Sequence, residues 1–334
     1  MKTKAAVLRN VGGPLIIEEL EIPQLKMGQV LVKVLYSGLC RSNINEINGR
    51  KGAEFIPHLT GHEASAVVLE VGEGVTKVKA DDYVVCSWIK GSGLAAQGVI
   101  YKSSSGIVNA GTCSTFSEYA VVSENRVVII PREVGSWVAA LLGCAVPTGA
   151  GIVDNFGIKS GQKLAILGIG GIGASALMRA SALGISCFAF DVQKWKLDWA
   201  EKNFGVIAFL SDTFHTFLEG GIFDFAIECS GNKSAMELAF QCLNRDGTAI
   251  IAGNLNRGEK ISIDPFELVS GKKLLGTWGG ECYLDKDIPF YAEEYLRHNL
   301  PIERLVTKVY SFDEINKGLK YLDEGSLIRG LVKI

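Results

Sequence analysis

The feature that most constrains this chain is a glycine-rich turn between two apolar runs, within residues 163–191. The first run, Leu164–Leu167, is too short for a helix and is bounded by glycine, which predicts a buried parallel strand. A helix is predicted to begin near Ile172, and a second apolar strand, 185–190, ends at Asp191. The turn before the helix contains four glycines: Gly168, Gly170, Gly171 and Gly173. This order predicts a strand–helix–strand unit of a parallel sheet.

Such a turn can bind a dinucleotide. Glycine lets main-chain N–H groups approach a pyrophosphate closely, and the following helix directs the positive end of its dipole towards that charge. The Asp191 carboxylate is placed to accept a hydrogen bond from a ribose 2′-hydroxyl and to repel a 2′-phosphate. The pattern therefore predicts NAD rather than NADP. The alternative is a tight turn that only joins strand to helix, but the terminal acid follows in the order that a ligand requires.

The composition is that of an ordinary folded protein. The 334 residues are 48% hydrophobic and 21% charged, and this length suggests two domains. A net charge of −2 gives no electrostatic reason to expect nucleic acid or an acidic membrane as a partner. With no signal-peptide pattern and no apolar run long enough to span a bilayer, we expect a cytoplasmic protein. The eight cysteines are scattered, which in a reducing compartment indicates free thiols or metal ligands.

Strand and helix patterns predict two kinds of domain. Short β-rich runs separated by polar turns fill residues 4–130 and predict an antiparallel, barrel-like domain, with a lobe or long loop at 91–115. Strands then alternate with helical patterns, which predicts a doubly wound parallel sheet. The last part of the chain is expected to return to the first domain. We therefore predict an α/β plus β protein, with one domain at 1–145 and 279–334 and the other at 146–278.

Three short motifs carry residues that suit a metal site. They lie at 38–43, 61–64 and 142–149, and they supply Cys40, His62 and Cys144. One histidine and two thiolates from separate segments form a plausible zinc site with an open fourth position. Buried, inert cysteines and a satisfied histidine are the alternative, and spacing alone favours that alternative.

These motifs, together with the glycine turn, resemble the zinc-dependent medium-chain alcohol dehydrogenases over nearly the whole chain. The segments 115–119, 266–271, 311–317 and 328–329 resemble in particular the glutathione-dependent formaldehyde dehydrogenase branch, also called class III. The resemblance implies a GroES-like antiparallel β-barrel catalytic domain with a Rossmann cofactor domain. It also implies that Cys40, His62 and Cys144 are the ligands of one catalytic zinc, as in the Cys₂His site of this family.

The resemblance assigns further roles by position. Ser42 matches the hydroxyl that accepts the proton of the substrate alcohol, and Glu63 matches a carboxylate that can approach the metal. Besides the glycines and Asp191, the residues implied in cofactor binding are Arg41 and Arg329 on the pyrophosphate, Thr148 and Ile172 at the nicotinamide, and Lys196 at the adenosine ribose. Trp88 and Phe116 match the aromatic lining of the substrate channel. Solvated charges and core aromatics are the alternative readings of these side chains.

The sequence departs from the family pattern at three places. Only Cys86 and Cys113 stand where the family has four closely spaced cysteines, so no second, structural zinc is expected. Asn45 stands at the position of the proton-relay histidine, and its amide cannot accept the proton. Asn43 stands where the family usually has an aspartate that orients the zinc-bound histidine.

We therefore predict a zinc-dependent, NAD-linked dehydrogenase that acts on a small alcohol or polyol and the matching aldehyde or ketone. Two alternatives stay open: a zinc-free quinone or enone reductase of the same superfamily, and a non-catalytic dinucleotide-binding protein. Asn43 and Asn45 support the latter. The apolar strand 273–278 is predicted to lie at a sheet edge, which indicates a homodimer, with a homotetramer as the larger possibility.

Overall fold

A computed structural model describes residues 1–50, 52–217 and 221–334. The chain forms two compact units. The first contains residues 1–144, 283–298 and 306–334, and the second contains residues 145–282 and 299–305. None of the helices within the described residues is long and apolar enough to cross a membrane.

The strands, numbered along the chain, are β1 (Lys2–Leu8), β2 (Leu15–Glu21), β3 (Gln29–Leu39), β4 (His58–Leu59), β5 (Glu63–Val71), β6 (Tyr83–Ser87), β7 (Ile100–Ser103), β8 (Gly106–Ala110), β9 (Tyr119–Ser123), β10 (Val127–Ile129), β11 (Lys163–Leu167), β12 (Ser186–Asp191), β13 (Ile207–Leu210), β14 (Phe223–Glu228), β15 (Leu243–Ile251), β16 (Lys273–Gly276), β17 (Val306–Ser311) and β18 (Arg329–Lys333). The α-helices are α1 (Arg41–Ile47), α2 (Ser136–Leu141), α3 (Ala145–Asn155), α4 (Gly171–Ala182), α5 (Lys194–Phe204), α6 (Lys233–Gln241), α7 (Pro265–Val269), α8 (Leu284–Leu296) and α9 (Ile315–Asp323).

The first unit is built from strands. β1, β2, β7, β8 and β4 close into a barrel, and a second sheet has the order β10-β6-β5-β3-β18-β17, with β9 also paired to β3. Most of these pairs are antiparallel. β3 and β5 alternate small apolar side chains towards one core, which includes Val30, Val32, Ala64 and Ala66. This is the predicted GroES-like domain.

The second unit contains a six-stranded parallel sheet in the order β13-β12-β11-β14-β15-β16. The chain leaves β11 to form β12 on one side and later returns to form β14 on the other. The glycine turn after β11 therefore lies at the point where the strand order reverses, which is where doubly wound sheets bind their ligands. The predicted Rossmann fold is confirmed.

The unit boundaries differ slightly from the predicted domain boundaries. Residues 279–282 and 299–305 belong to the second unit. The Arg304 guanidinium donates to the carbonyl of Asn203 at 2.9 Å, and the Asn155 amide donates to the carbonyl of Gly280 at 2.9 Å. These contacts hold both short segments against helices of the second unit, and composition alone does not signal them.

The lobe at 91–115 is fixed by one buried carboxylate. Glu124 accepts backbone N–H groups from Thr76, Lys77 and Leu94 at 2.6, 2.8 and 2.6 Å. Burial by itself would raise the pKa of Glu124, but these N–H groups lower it below its ordinary value. The lobe is therefore tied to two neighbouring segments of the same unit.

Replacing Glu124 by glutamine should lower the free energy of unfolding by about 2 kcal/mol, because one of three hydrogen bonds to a charged acceptor is lost and the others weaken. Since the folded-state pKa is lowered, the stabilisation is complete above the unfolded-state pKa and is lost as pH falls through the folded-state pKa. Urea unfolding at neutral and acidic pH should show a difference between the two proteins that shrinks in acid. Glu118→Gln is a control elsewhere in the unit, and a difference that grows in acid would contradict the assignment.

Candidate metal and cofactor sites

Four side chains of the first unit converge. The ligand atoms of Cys40, His62, Glu63 and Cys144 all lie within 4.8 Å of one another. Cys40 follows β3, His62 and Glu63 are at the start of β5, and Cys144 comes directly before α3. The antiparallel pairing of β3 with β5 brings the first three together, since Ser37 lies opposite Ala64.

A glycine makes room for the carboxylate of this cluster. A Cβ atom on Gly38 would overlap the Glu63 carboxyl group, so a side chain there would push Glu63 out of the cluster. Glu63 itself is fully buried, and its Oε2 atom has no hydrogen-bond partner among the described residues. A buried carboxylate oxygen without a partner indicates that a group which the protein itself does not supply belongs here.

The pKa values of the two cysteines of the cluster shift in opposite directions. The hydrogen bond from Cys144 lowers the pKa of Cys40 well below its ordinary value, with further help from His62, whereas the same hydrogen bond raises the pKa of Cys144. Burial alone would lower the pKa of His62, but the hydrogen bond and charge of Cys40 raise it. Cys40 is therefore the more acidic of the two thiols.

This donor set fits zinc. Two cysteine sulfurs and one imidazole are the ligands of a catalytic Cys₂His site, and a nearby carboxylate can join when the fourth ligand exchanges. The four groups are protein side chains that lie close enough to share one ion. They are also the residues that the family resemblance implies.

Glu63 is held by an arginine from the far end of the chain. Arg329, on β18, donates from Nη2 to Glu63 Oε1, and the two side chains are 4% and 0% exposed. Burial opposes the charge of Arg329, but the negative charge of Glu63 raises its pKa. Sequence analysis predicted Arg329 at a pyrophosphate, whereas the structure places its guanidinium on Glu63. Arg41, the other predicted phosphate ligand, is exposed and paired with Asp323.

Helix α1 presents polar side chains to His62. The hydroxyl of Ser42 is exposed and lies 3.5 Å from Nδ1 and 3.4 Å from Nε2 of that ring. The Asn43 oxygen accepts the N–H of Cys40 at 2.9 Å, so its Nδ2 faces His62 Nδ1, at 3.5 Å. Asn43 therefore caps the helix and offers the histidine no carboxylate.

Replacing Asn43 by aspartate should make the zinc site retain metal longer against a chelator. One carboxylate oxygen can keep the hydrogen bond from the Cys40 N–H, and the other can accept a hydrogen bond from the imidazole. Such a carboxylate partner raises the metal affinity of a site by up to roughly 10–100-fold. Zinc release to a chromogenic chelator measures the effect. Asn45→Asp adds the same charge on the same helix and is the control; equal retention in both variants would contradict a direct effect on His62.

The glycine turn of the second unit has the predicted form. Gly168 has φ +94°, and a Cβ there would lie 2.8 Å from the backbone nitrogen of Ser230, so only glycine fits. Gly170 precedes α4, which begins at Gly171 and contains Ile172 and Gly173. The main-chain N–H groups at this helix start are available to bind phosphate oxygens.

Asp191 ends β12 and is buried. Its carboxylate accepts the N–H of Ile169 at 2.6 Å and the N–H of Gln193 at 2.9 Å. The acid therefore fixes the glycine turn, a role that sequence analysis did not include. Each carboxylate oxygen has a second lone pair, so both bonds are compatible with a further hydrogen bond from a hydroxyl group.

Other predicted cofactor residues lie on the helices of this unit. Thr148, on α3, is buried, and its hydroxyl has no hydrogen-bond partner within the described ranges. Ile172 is partly exposed at the start of α4, and Lys196 is buried on α5. Sequence analysis missed Glu228, a buried acid at the end of β14 whose Oε1 accepts the N–H groups of Ser230 and Gly231. An acid after an apolar strand, as at Asp191, was the available signal.

The two aromatic residues predicted to line the substrate channel lie in different environments. Trp88 lines a cavity of about 190 Å³ in the first unit, and His62 lines the same cavity. Phe116 is fully buried in the apolar core of the barrel, packed with residues such as Leu31 and Val121. The structure therefore places Phe116 in the apolar core, next to Gly61 of the cavity lining, and its role in a substrate channel stays a prediction.

Comparison with known proteins identifies the class. Residues 26–132 match the alcohol dehydrogenase GroES-like domain, and residues 171–294 match the zinc-binding dehydrogenase domain. The chain belongs to the family of zinc-binding alcohol dehydrogenases. It is an oxidoreductase of the alcohol dehydrogenase type, which confirms the predicted family, fold and enzyme class.

Individual relatives cover the whole chain. It is 32% identical to the alcohol dehydrogenase class-3 of Pisum sativum, over 99% of this chain and 97% of that one. It is also 32% identical to an S-(hydroxymethyl)glutathione dehydrogenase of Escherichia coli, over the full length of both. Among solved structures, benzyl alcohol dehydrogenase from Acinetobacter calcoaceticus has a TM-score of 0.90 at 26% identity, covering 100% of this chain and 99% of that one.

Proposed function

We propose that this protein transfers a hydride between NAD(H) and a small alcohol or its carbonyl product, with Cys40, His62 and Cys144 holding one catalytic zinc. The convergence of these three ligand atoms with the Glu63 carboxylate carries the proposal. Bound zinc supplies a Lewis acid that lowers the pKa of a coordinated alcohol. Membership of the family supports this reaction class.

The neighbouring side chains would transfer the proton of the alcohol to solvent. Ser42 is exposed and borders His62, so its hydroxyl can accept the proton of the alcohol and pass one on to solvent. Asn45 has no basic nitrogen and takes no part in this transfer. Arg329 holds Glu63 by one oxygen, which leaves Oε2 free to approach the metal when the substrate position exchanges.

The second unit would bind the cofactor. In this proposal the pyrophosphate lies at the start of α4, and Thr148 and Ile172 contact the nicotinamide. The Asp191 carboxylate accepts a hydrogen bond from a ribose 2′-hydroxyl and repels the 2′-phosphate of NADP. Arg41, Arg329 and Lys196 stay proposed contacts to the phosphates and ribose. Both units are thus assigned parts of one reaction.

A substrate screen with metal analysis tests this function. Protein purified without added zinc should contain about one zinc per chain, and primary, secondary or sugar alcohols should give NADH. Turnover without zinc would favour a zinc-free reductase, and neither zinc nor turnover would favour a non-catalytic dinucleotide-binding protein.

We also propose a homodimer formed through the second unit. β16 is an edge strand, and its surroundings expose large apolar side chains: Phe266 at 72%, Val269 at 84%, Leu275 at 43% and Trp278 at 73%. Exposed apolar groups at a sheet edge favour pairing with a symmetric copy. Light scattering should report two chains at micromolar concentration, and Leu275→Asp should shift the protein to one chain; a monomeric parent protein would refute the dimer.

The free state of all eight cysteines supports a cytoplasmic location.

A further inference from the structure

The cavity beside the metal cluster is charged. Besides His62 and Trp88, the side chains that matter for its chemistry are Arg126, His58 and Glu46. Its volume of about 190 Å³ is below the roughly 300–1,000 Å³ typical of sites for drug-sized ligands. An occupant must therefore be small, and it would meet polar groups rather than an aromatic channel.

Arg126 brings an uncompensated positive charge to this cavity. Its Nη1 donates to the carbonyl of Trp88, which fixes the guanidinium, while its Nε is buried without an acceptor. Arg126 makes no ion pair with any residue that the structure describes. A buried guanidinium N–H that lacks an acceptor is unfavourable, so the arrangement persists best where a ligand supplies the missing oxygen.

The acids near Arg126 have other partners. Glu46 Oε1 lies 2.6 Å from His58 Nε2, and Glu124 accepts the backbone N–H groups of Thr76, Lys77 and Leu94. His58 Nδ1 is buried, and it too has no partner among the described residues. Two residues of the cavity lining thus each have a buried nitrogen without a hydrogen-bond partner among the described residues, one on a permanent cation and one on an imidazole that a carboxylate orients.

We propose that Arg126 binds the oxyanion of a small hydroxylated substrate, a phosphate or a carboxylate, while His58 Nδ1 binds one of its hydroxyl groups. The planar guanidinium fork suits the oxygens of either anion. Of the four cluster residues, His62 lines the same cavity, so the carbinol end of such a molecule would approach the cluster from the His62 side. This substrate class rests on the proposed dehydrogenase function.

Matched substrates test the proposal. The ratio of kcat/KM is measured with NAD for a polyol monophosphate against the unphosphorylated polyol, and for a hydroxy acid against the straight-chain alcohol of equal length. A hydrogen-bonded charged pair predicts that at least one anionic member is preferred by roughly 10–100-fold, chiefly through KM. Arg126→Gln should remove that preference. Arg132→Gln, which changes an exposed arginine bonded to the Asp81 carbonyl, should keep it.

An equilibrium measurement separates this proposal from the reaction itself. Inorganic phosphate, titrated calorimetrically into protein saturated with NAD so that the start of α4 is occupied, should bind the unmodified protein and bind Arg126→Gln at least tenfold more weakly. That result supports the anion subsite even if no alcohol is oxidised, an outcome that would refute only the proposed function. Equal phosphate binding in both proteins, or an anionic preference that survives in Arg126→Gln, overturns the subsite. The larger of the two substrate ratios assigns phosphate or carboxylate.

Discussion

Replacing Cys144 by alanine should remove zinc from the protein and abolish alcohol oxidation. The three-ligand site would keep only one thiolate and one imidazole, and the loss should exceed the roughly 100-fold upper effect of removing an outer hydrogen-bond partner. Zinc per chain by elemental analysis and the rate of NADH formation measure the two losses. Lost packing does not explain so large a change, because the substitution removes only one sulfur atom from the buried site.

Cys86→Ala is the matched control for that experiment. Cys86 is a fully buried cysteine of the same unit, but it lies in the apolar core instead of the metal cluster. Its loss should leave one zinc per chain. If both alanine variants keep zinc, the cluster is not a metal site; if both lose it, the effect comes from unfolding, which thermal denaturation would reveal.

Replacing Asp191 by asparagine should narrow the preference for NADH over NADPH by more than about tenfold. The neutral amide no longer repels a 2′-phosphate, and its oxygen can still accept either the Ile169 or the Gln193 N–H. Alanine would lose both bonds and loosen the turn, so asparagine isolates the charge. Nucleotide fluorescence titrations measure both affinities.

Asp198→Asn controls for a change of charge in the same unit. Asp198 is exposed on α5 and pairs with Lys194. This variant should leave the ratio of NADH to NADPH affinity unchanged. Equal affinity of the unmodified protein for the two cofactors would refute the assigned role of Asp191.

The cofactor unit was predictable because its signal is local. The strand, turn, helix and acid follow one another within residues 163–191, so periodicity and glycine spacing describe them without tertiary information. The second hydrogen-bonding role of Asp191 was not predictable. It depends on how closely the turn approaches the end of β12 in three dimensions.

The metal cluster was predictable only through family resemblance. Cys40, His62 and Cys144 come from distant segments, and no spacing rule links them; the pairing of β3 with β5 does so in the folded protein. The bond between Glu63 and Arg329 joins residues that are 266 positions apart, and sequence patterns do not encode such a contact. Arg126 belongs to no sequence motif. It stands out only in the folded structure, where its Nε has no hydrogen-bond acceptor among the described residues.

The position of Arg329 has a consequence for biosynthesis. Strand β18 lies inside the sheet, between β3 and β17, and it carries the arginine that neutralises Glu63. Until residues 329–333 have been synthesised, the first unit lacks the strand that pairs with both β3 and β17, and Glu63 lacks its arginine partner. The nucleotide-binding unit, which is complete at residue 305, can fold earlier. A chain that stalls before β18 would therefore combine a complete nucleotide-binding unit with a first unit in which Glu63 lacks its partner.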